Sequence, residues 1–304
     1  MRLFDAVMSS PTHIKLVGNG RETVLPGVGS CRERLRECHH RYVLDDAAAR
    51  VVADEALGGS RVVADAVDIL RMPGGSVWLE WRESPELYRN RDESATRRQV
   101  GLLIEADETL RRGQVTSFWK AGDAPAMVSP GRIAFDLDDA PSSGVRIATS
   151  DRGHPVDELF SHASLTFDQE WLAYYTAGGF GAASSLHEAI LKQVAPDWPM
   201  AASFAMLMMA SDVFDRRALS LEKLNRQREK AGKHRLSDMT ELSLRWSSGE
   251  SERSDGMQRA DGPRLHHVRG HLVRRRDQVF WRRPHLRGSG LPKHVPLRRV
   301  SPRR

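Results

Sequence analysis

Apolar positions recur at two spacings along this 304-residue chain, and the switches between them divide it into segments. Near the N-terminus, IKLVG from Ile14 and TVLPG from Thr23 flank Asn19 and Gly20, a hairpin turn signal, so an opening hairpin is expected. From Ser30 the period becomes helical. Ser30 and Glu33 form a capping-box pair, and Leu35, Cys38, Tyr42, Val51, Val52 and Ala56 follow at helical spacing, which predicts one helix closed by Gly58 and Gly59. Ser60 then opens a second helix with Val62, Val63, Ala66, Val67, Ile69 and Leu70 on its apolar face, ended by Pro73 and Gly74.

Strict alternation takes over at SVWLEW, with Val77, Leu79 and Trp81 on one side. VGLLIEA from Val100, QVTSFWKA from Gln114 and RIAFDLDD from Arg132 extend it into a predicted antiparallel sheet. Asp136, Asp138 and Asp139 read as a polar strand end running into the turn at Pro141 rather than as a magnesium site. Helical spacing returns from Ser164 or Thr166 through Phe167, Trp171, Leu172 and Tyr175 to Gly178 and Gly179, glycines that lack the GK[ST] of a phosphate loop. Ser185 opens another helix. Pro199 opens the most apolar one, whose Met206, Met208 and Met209 lie on more than one face and place it at the centre of the body. ALSLEKLNRQREK predicts an amphipathic helix anchored by Leu219, Leu221 and Leu224, with Arg226, Arg228, Lys230 and Lys233 at its basic exit, and MTELSLRW predicts a strand.

Residues 247–262 are polar and read as a linker. Beyond them, strands over 266–274 and 279–283 are expected to pair as a hairpin. The fold class is therefore α+β, a mixed helical and antiparallel-sheet body with a C-terminal basic β-hairpin module. Its divisions are an α+β region over 1–150, a helical region ending in a short strand over 151–246, the linker, and a His- and Arg-rich module and tail over 263–304.

A 40% hydrophobic content is enough for a core, while the longest apolar run, AASFAMLMMA, is half of the roughly 20 residues that span a bilayer, so no membrane partner is expected. With no secretory pattern at the N-terminus, a cytoplasmic location is expected. Cys31 and Cys38, seven positions apart on the predicted helix, are too far apart to bridge and fit a reducing compartment. The neighbouring His39 and His40 point about 100° apart on a helix. No zinc site, and no cofactor, is expected.

Charge changes the picture more. The chain carries +6 overall, but residues 259–304 hold 14 Lys or Arg against two Asp, so this segment is +12 and the remainder is −6. Such a single-signed segment, with five histidines and the pair Phe280 and Trp281, suits a phosphate backbone, because each neutralised phosphate releases counterions. Alternation puts His267, Arg269 and His271 on one face, an Arg fork between two imidazoles, with Gly270 allowing close backbone approach. The nucleic-acid-binding residues expected are Arg264, His266, His267, Arg269, Gly270, His271, Arg274, Trp281, Arg282 and Arg283. Three readings stay open: RNA binding with a base stacked on Trp281 or Phe280; a metal-independent ribonuclease with His266 or His271 as general acid or base; and arginines merely solvated on a surface hairpin.

RLHHVRGHL, the basic aromatic strand FWRRPHLRG and the preceding LNRQREKAGK resemble the C-terminal portion of a family encoded by phages and other mobile elements, the type V-A anti-CRISPR proteins that suppress biosynthesis of the effector nuclease. The matching positions are Arg264, His266, Arg269, Gly270 and His271. The chain departs from that pattern at Leu272, where an aromatic commonly follows. The resemblance implies a host-defence-evasion regulator that engages RNA or a ribosome–nascent chain complex, and through it a target protein, and lowers expression of that target. It supplies no catalytic residues.

Overall fold

The computed structural model describes residues 2–18, 21–57, 61–83, 98–141, 143–147, 157–168, 183–233, 235–245, 266–268, 270–283 and 285–287. An α+β fold is built around a nine-stranded mixed sheet. In chain order its strands are β3 (His40–Leu44), β4 (Ser76–Arg82), β5 (Arg98–Ala106), β6 (Arg112–Ala121), β7 (Met127–Asp136), β8 (Val145–Arg146), β9 (Ala163–Phe167), β10 (Phe214–Leu219) and β11 (Met239–Leu244), in the spatial order β10-β11-β3-β4-β5-β6-β7-β9-β8. The pairs β11 with β3 and β3 with β4 are parallel, and the other neighbours are antiparallel. The opening hairpin, β1 (His13–Gly18) with β2 (Arg21–Pro26), forms as expected, while its Asn19 and Gly20 lie outside the described residues.

Both faces of the sheet are covered. On one lie α1 (Leu3–Ser9), a 3₁₀ turn (Val28–Cys31) and α2 (Arg32–Arg36), over Trp78, Leu103 and Phe118. On the other lie α3 (Asp46–Leu57), α4 (Val62–Asp65) and α7 (Asp197–Met209), over Val77, Leu79, Leu102 and Ile133. Hence β4, expected to bury one face, buries Trp78 and Glu80 as well. Helix α7 is central as expected, although Met209 at its end is exposed. The cysteines are free and buried.

Four predicted helices differ, and of the one expected from Ser60 to Leu70 only α4 is helical, with turns over 66–69. The helix expected from Ser30 to Ala56 is split, because β3 inserts between α2 and α3 and takes a parallel place between β11 and β4. Tyr42 and Leu44, spaced two apart, point into the core from that strand. The helix expected from Ser164 begins instead as β9, whose register with β7 buries Ala163 and Leu165; Trp171, Leu172 and Tyr175 lie outside the described residues. Ala218 and Leu219 belong to β10, so the amphipathic helix, α8 (Glu222–Lys230), starts later. Leu224 is exposed, and the anchor is Asn225, whose side-chain amide accepts from Leu236 N at 2.7 Å and donates to Leu236 O at 3.0 Å. The helices α5 (Asp157–Ser161) and α6 (Ala183–Val194) complete the body.

Arg111 ties the layers together. Its guanidinium donates to the carbonyls of Val67 at 3.3 Å, Asp68 at 3.1 Å, Leu70 at 2.9 Å and Leu137 at 2.9 Å, and pairs with Asp138. The acidic turn after β7 is thus a set of arginine partners: Asp136 holds Arg112 at 3.0 Å and accepts from the amides of Asp138 and Asp139.

Candidate nucleic-acid interface

The basic module contains two short antiparallel pairs rather than one long hairpin. β12 (His266–Val268) pairs with β15 (His285–Arg287), and β13 (His271–Arg275) pairs with β14 (Gln278–Arg282) across a turn at Arg276 and Asp277. Gly270 lies at the interruption between β12 and β13, so simple alternation does not carry from His267 to His271. Arg264 and Arg269 lie outside the described residues, as do the side chains of His266 and His267.

The β13–β14 pair has two unlike faces, because cross-strand partners share a side. Register pairs Leu272 with Trp281 and Arg274 with Val279 on the inner face, and His271 with Arg282, Val273 with Phe280 and Arg275 with Gln278 on the outer. The inner face docks on the body. Leu272 is 1% exposed and belongs to the main core, against which Val279 and Trp281 also pack. The amide of Leu272 donates to buried Glu55 at 3.1 Å, meeting a carboxylate that α3 carries inward.

Arg274 completes the docking. It grips Asp68 with both terminal nitrogens, at 2.8 and 2.6 Å, donates to the carbonyl of Asp65, and donates through Nε to Arg276 O at 3.0 Å. These hydrogen bonds, ahead of the charge itself, hold the Asp68 carboxyl below its ordinary range. Arg274, expected to contact nucleic acid, therefore spends its planar fork on the body, and Trp281, expected to stack a base, packs on the core side.

What is left outward is a different set. Phe280 is 42% exposed, and Arg275, Arg276 and Arg282 are exposed with no carboxylate partner among the described residues. Val273, Arg275, Phe280, Trp281 and Arg282 line an open cavity of about 210 Å³. His271 stands beside Arg282 at one end of this face, half-buried, and Arg283 follows Arg282, exposed. Arg275 and Arg276 are not among the residues expected from sequence, and Phe280 enters there only as the alternative to Trp281 for stacking a base. Their signal was present in VFWRR, where period two forces Val279 and Trp281 to one side and Phe280 and Arg282 to the other. Choosing the side needed Leu272 opposite Trp281.

Chemically, the outer face offers cations flanking an accessible aromatic ring, which can neutralise phosphates and stack a planar base. Among the described residues no three His, Cys, Asp or Glu side chains are grouped to hold a metal ion, and no helix is long and apolar enough to cross a membrane. Comparison with known proteins finds no matching family model, no matching curated protein and no matching solved structure.

Proposed function

We propose that this chain is a regulator that binds RNA through the outer face of the β13–β14 hairpin, and that this binding lowers expression of a target protein. The observation that carries it is the division of the hairpin's arginines: Arg274 is consumed in docking, whereas Arg275 and Arg282 share the outer face with exposed Phe280, without carboxylate partners among the described residues. A hairpin held rigidly to a core presents such groups with little ordering cost on binding. The resemblance of the 264–271 segment to mobile-element anti-CRISPR proteins supports the finer reading, a host-defence-evasion factor acting on a transcript or on the ribosome–nascent chain complex that carries it.

The test is anisotropy of labelled RNA across a salt series. Affinity is expected to fall steeply with salt, and the double substitution Arg275→Gln with Arg282→Gln to flatten the slope by about one unit per lost contact. Unchanged affinity in that variant removes the reading. RNA length is expected to be preserved in chelator, whereas shortening that disappears in His271→Gln replaces binding with ribonuclease action.

A further inference from the structure

The RNA-binding reading does not say what form of RNA the outer face takes. Resting on that reading, we infer that the hairpin selects unpaired nucleotides, with one base stacked on Phe280 and the neighbouring phosphates on Arg275 and Arg282. The geometry carries this in three steps.

First, the ring is offered by its surroundings. Phe280 lies opposite Val273, and the open cavity they line with Arg275, Trp281 and Arg282 measures about 210 Å³. That is space for one planar heterocycle, with Val273 as its apolar wall.

Second, the cations are spaced for a single strand. Phe280 and Arg282 are alternate residues of one strand, so their Cα atoms lie about 7 Å apart. Arg275 lies diagonally across from Phe280 in the opposite direction, next to Gln278. A backbone crossing this face meets a cation on each side of the aromatic, and the other residues that the two strands put on it are His271, Val273 and Gln278, none of them a carboxylate.

Third, a duplex cannot use the ring. In A-form RNA both faces of each base are stacked and only edges and backbone are accessible, so Phe280 has nothing to cover and the arginines alone contribute. A bare acidic polypeptide likewise meets the arginines and leaves the ring uncovered.

The experiment uses the full chain, a labelled 12-nucleotide RNA of unstructured sequence, and the same RNA annealed to its complement, at one salt concentration. The single strand is expected to bind at least about tenfold tighter, and Phe280→Ala to remove about that factor for the single strand while leaving the duplex nearly unchanged. Phe280→Trp retains the preference, and Phe280→Leu, which keeps apolar bulk, does not. Because Phe280 points away from the core, these variants are expected to melt with the wild type; near-UV circular dichroism verifies that. Equal affinity for strand and duplex, equal losses for both in Phe280→Ala, or displacement of the RNA by poly-glutamate at equal charge overturns the inference. Binding that responds to Arg275→Gln and Arg282→Gln but not to Phe280→Ala discards the stacked base and leaves the RNA-binding reading standing, whereas indifference to the arginines discards both.

Discussion

The arginines of the body and those of the hairpin's outer face are the same side chain put to opposite uses. In the body, Arg34 is paired with Glu105, Arg112 with Asp136, Arg132 with Asp168, and Arg245 with both Asp212 and Asp215, while Arg111 is nearly buried among carbonyls. On the outer face Arg275 and Arg282, and in the adjoining turn Arg276, have no such partner among the described residues. Arg274, two residues before Arg276, behaves as a body arginine. A net charge therefore locates a basic segment, but the state of pairing locates the surface within it.

The largest test of that contrast is Arg111→Ala. It strips donors from four buried or half-buried carbonyls, and the expected loss is on the order of 3 kcal/mol in unfolding free energy, read from denaturant midpoints at constant m. RNA affinity per folded molecule stays the same. Leu272→Ala attacks the docking itself: a Leu this buried costs about 2–5 kcal/mol when truncated, and because its loss undoes the hairpin's seat, RNA affinity falls with stability. The outer-face pair Arg275→Gln and Arg282→Gln inverts the pattern, with stability changed by less than about 0.5 kcal/mol and RNA affinity strongly reduced. A body arginine that altered RNA affinity without altering stability would break the comparison.

How much of this was legible follows from where the deciding information lies. Strands β4 to β7 could be read because they are seven to ten residues long, rich in apolar residues, and pair with near neighbours in sequence. β3 is five residues long, and Leu35, Cys38 and Tyr42 satisfy helical spacing by coincidence; what makes it a strand is Thr240 beside Tyr42, on a partner strand far along the chain. β9 and β10, five and six residues long, are too short for alternation to outweigh helical spacing, although their partner strands are near in sequence. The basic segment was visible from charge alone and its hairpin from alternation. Which arginines are occupied was not, because Asp68 lies 206 residues from Arg274 and no local pattern links them.

A smaller effect separates a buried carboxylate from the paired ones. Glu80 is 5% exposed and accepts from the amide of Phe4 and from Trp78 Nε1, each at 3.0 Å, so it fastens α1 to the sheet. Burial pushes its carboxyl above the ordinary value, with the hydrogen bonds opposing. A raised value means that the folded state holds the proton more tightly, so this contribution is complete below the unfolded-state value and is lost as pH rises through the folded one. Glu80→Gln keeps an acceptor for both donors and removes the titration. Its unfolding midpoint is expected to exceed that of the wild type at neutral pH and to converge with it in acid; a variant less stable at neutral pH shows that the ionised carboxylate is the stabilising form.

The smallest effect concerns the turn that presents the outer face. Arg276 has φ 53° and Leu110, in the β5–β6 turn of the body, has φ 61°, both left-handed values that cost an L-residue on the order of 1 kcal/mol. Glycine relieves that cost at either place but adds freedom to the unfolded chain, leaving a net gain of about 0.5 kcal/mol where the side chain does nothing else. Leu110 is half-buried beside the Gly74 turn, so Leu110→Gly forfeits packing and is expected to destabilise. Arg276 is exposed, and its carbonyl, which accepts from Arg274, belongs to the backbone and survives the change. Arg276→Gly is therefore expected to slow amide exchange across β13 and β14 slightly while lowering the salt slope of RNA binding by no more than the one charge removed. Faster exchange in those strands would mean that the Arg276 side chain helps seat the hairpin, and would move it from the unpaired group to the side of Arg274.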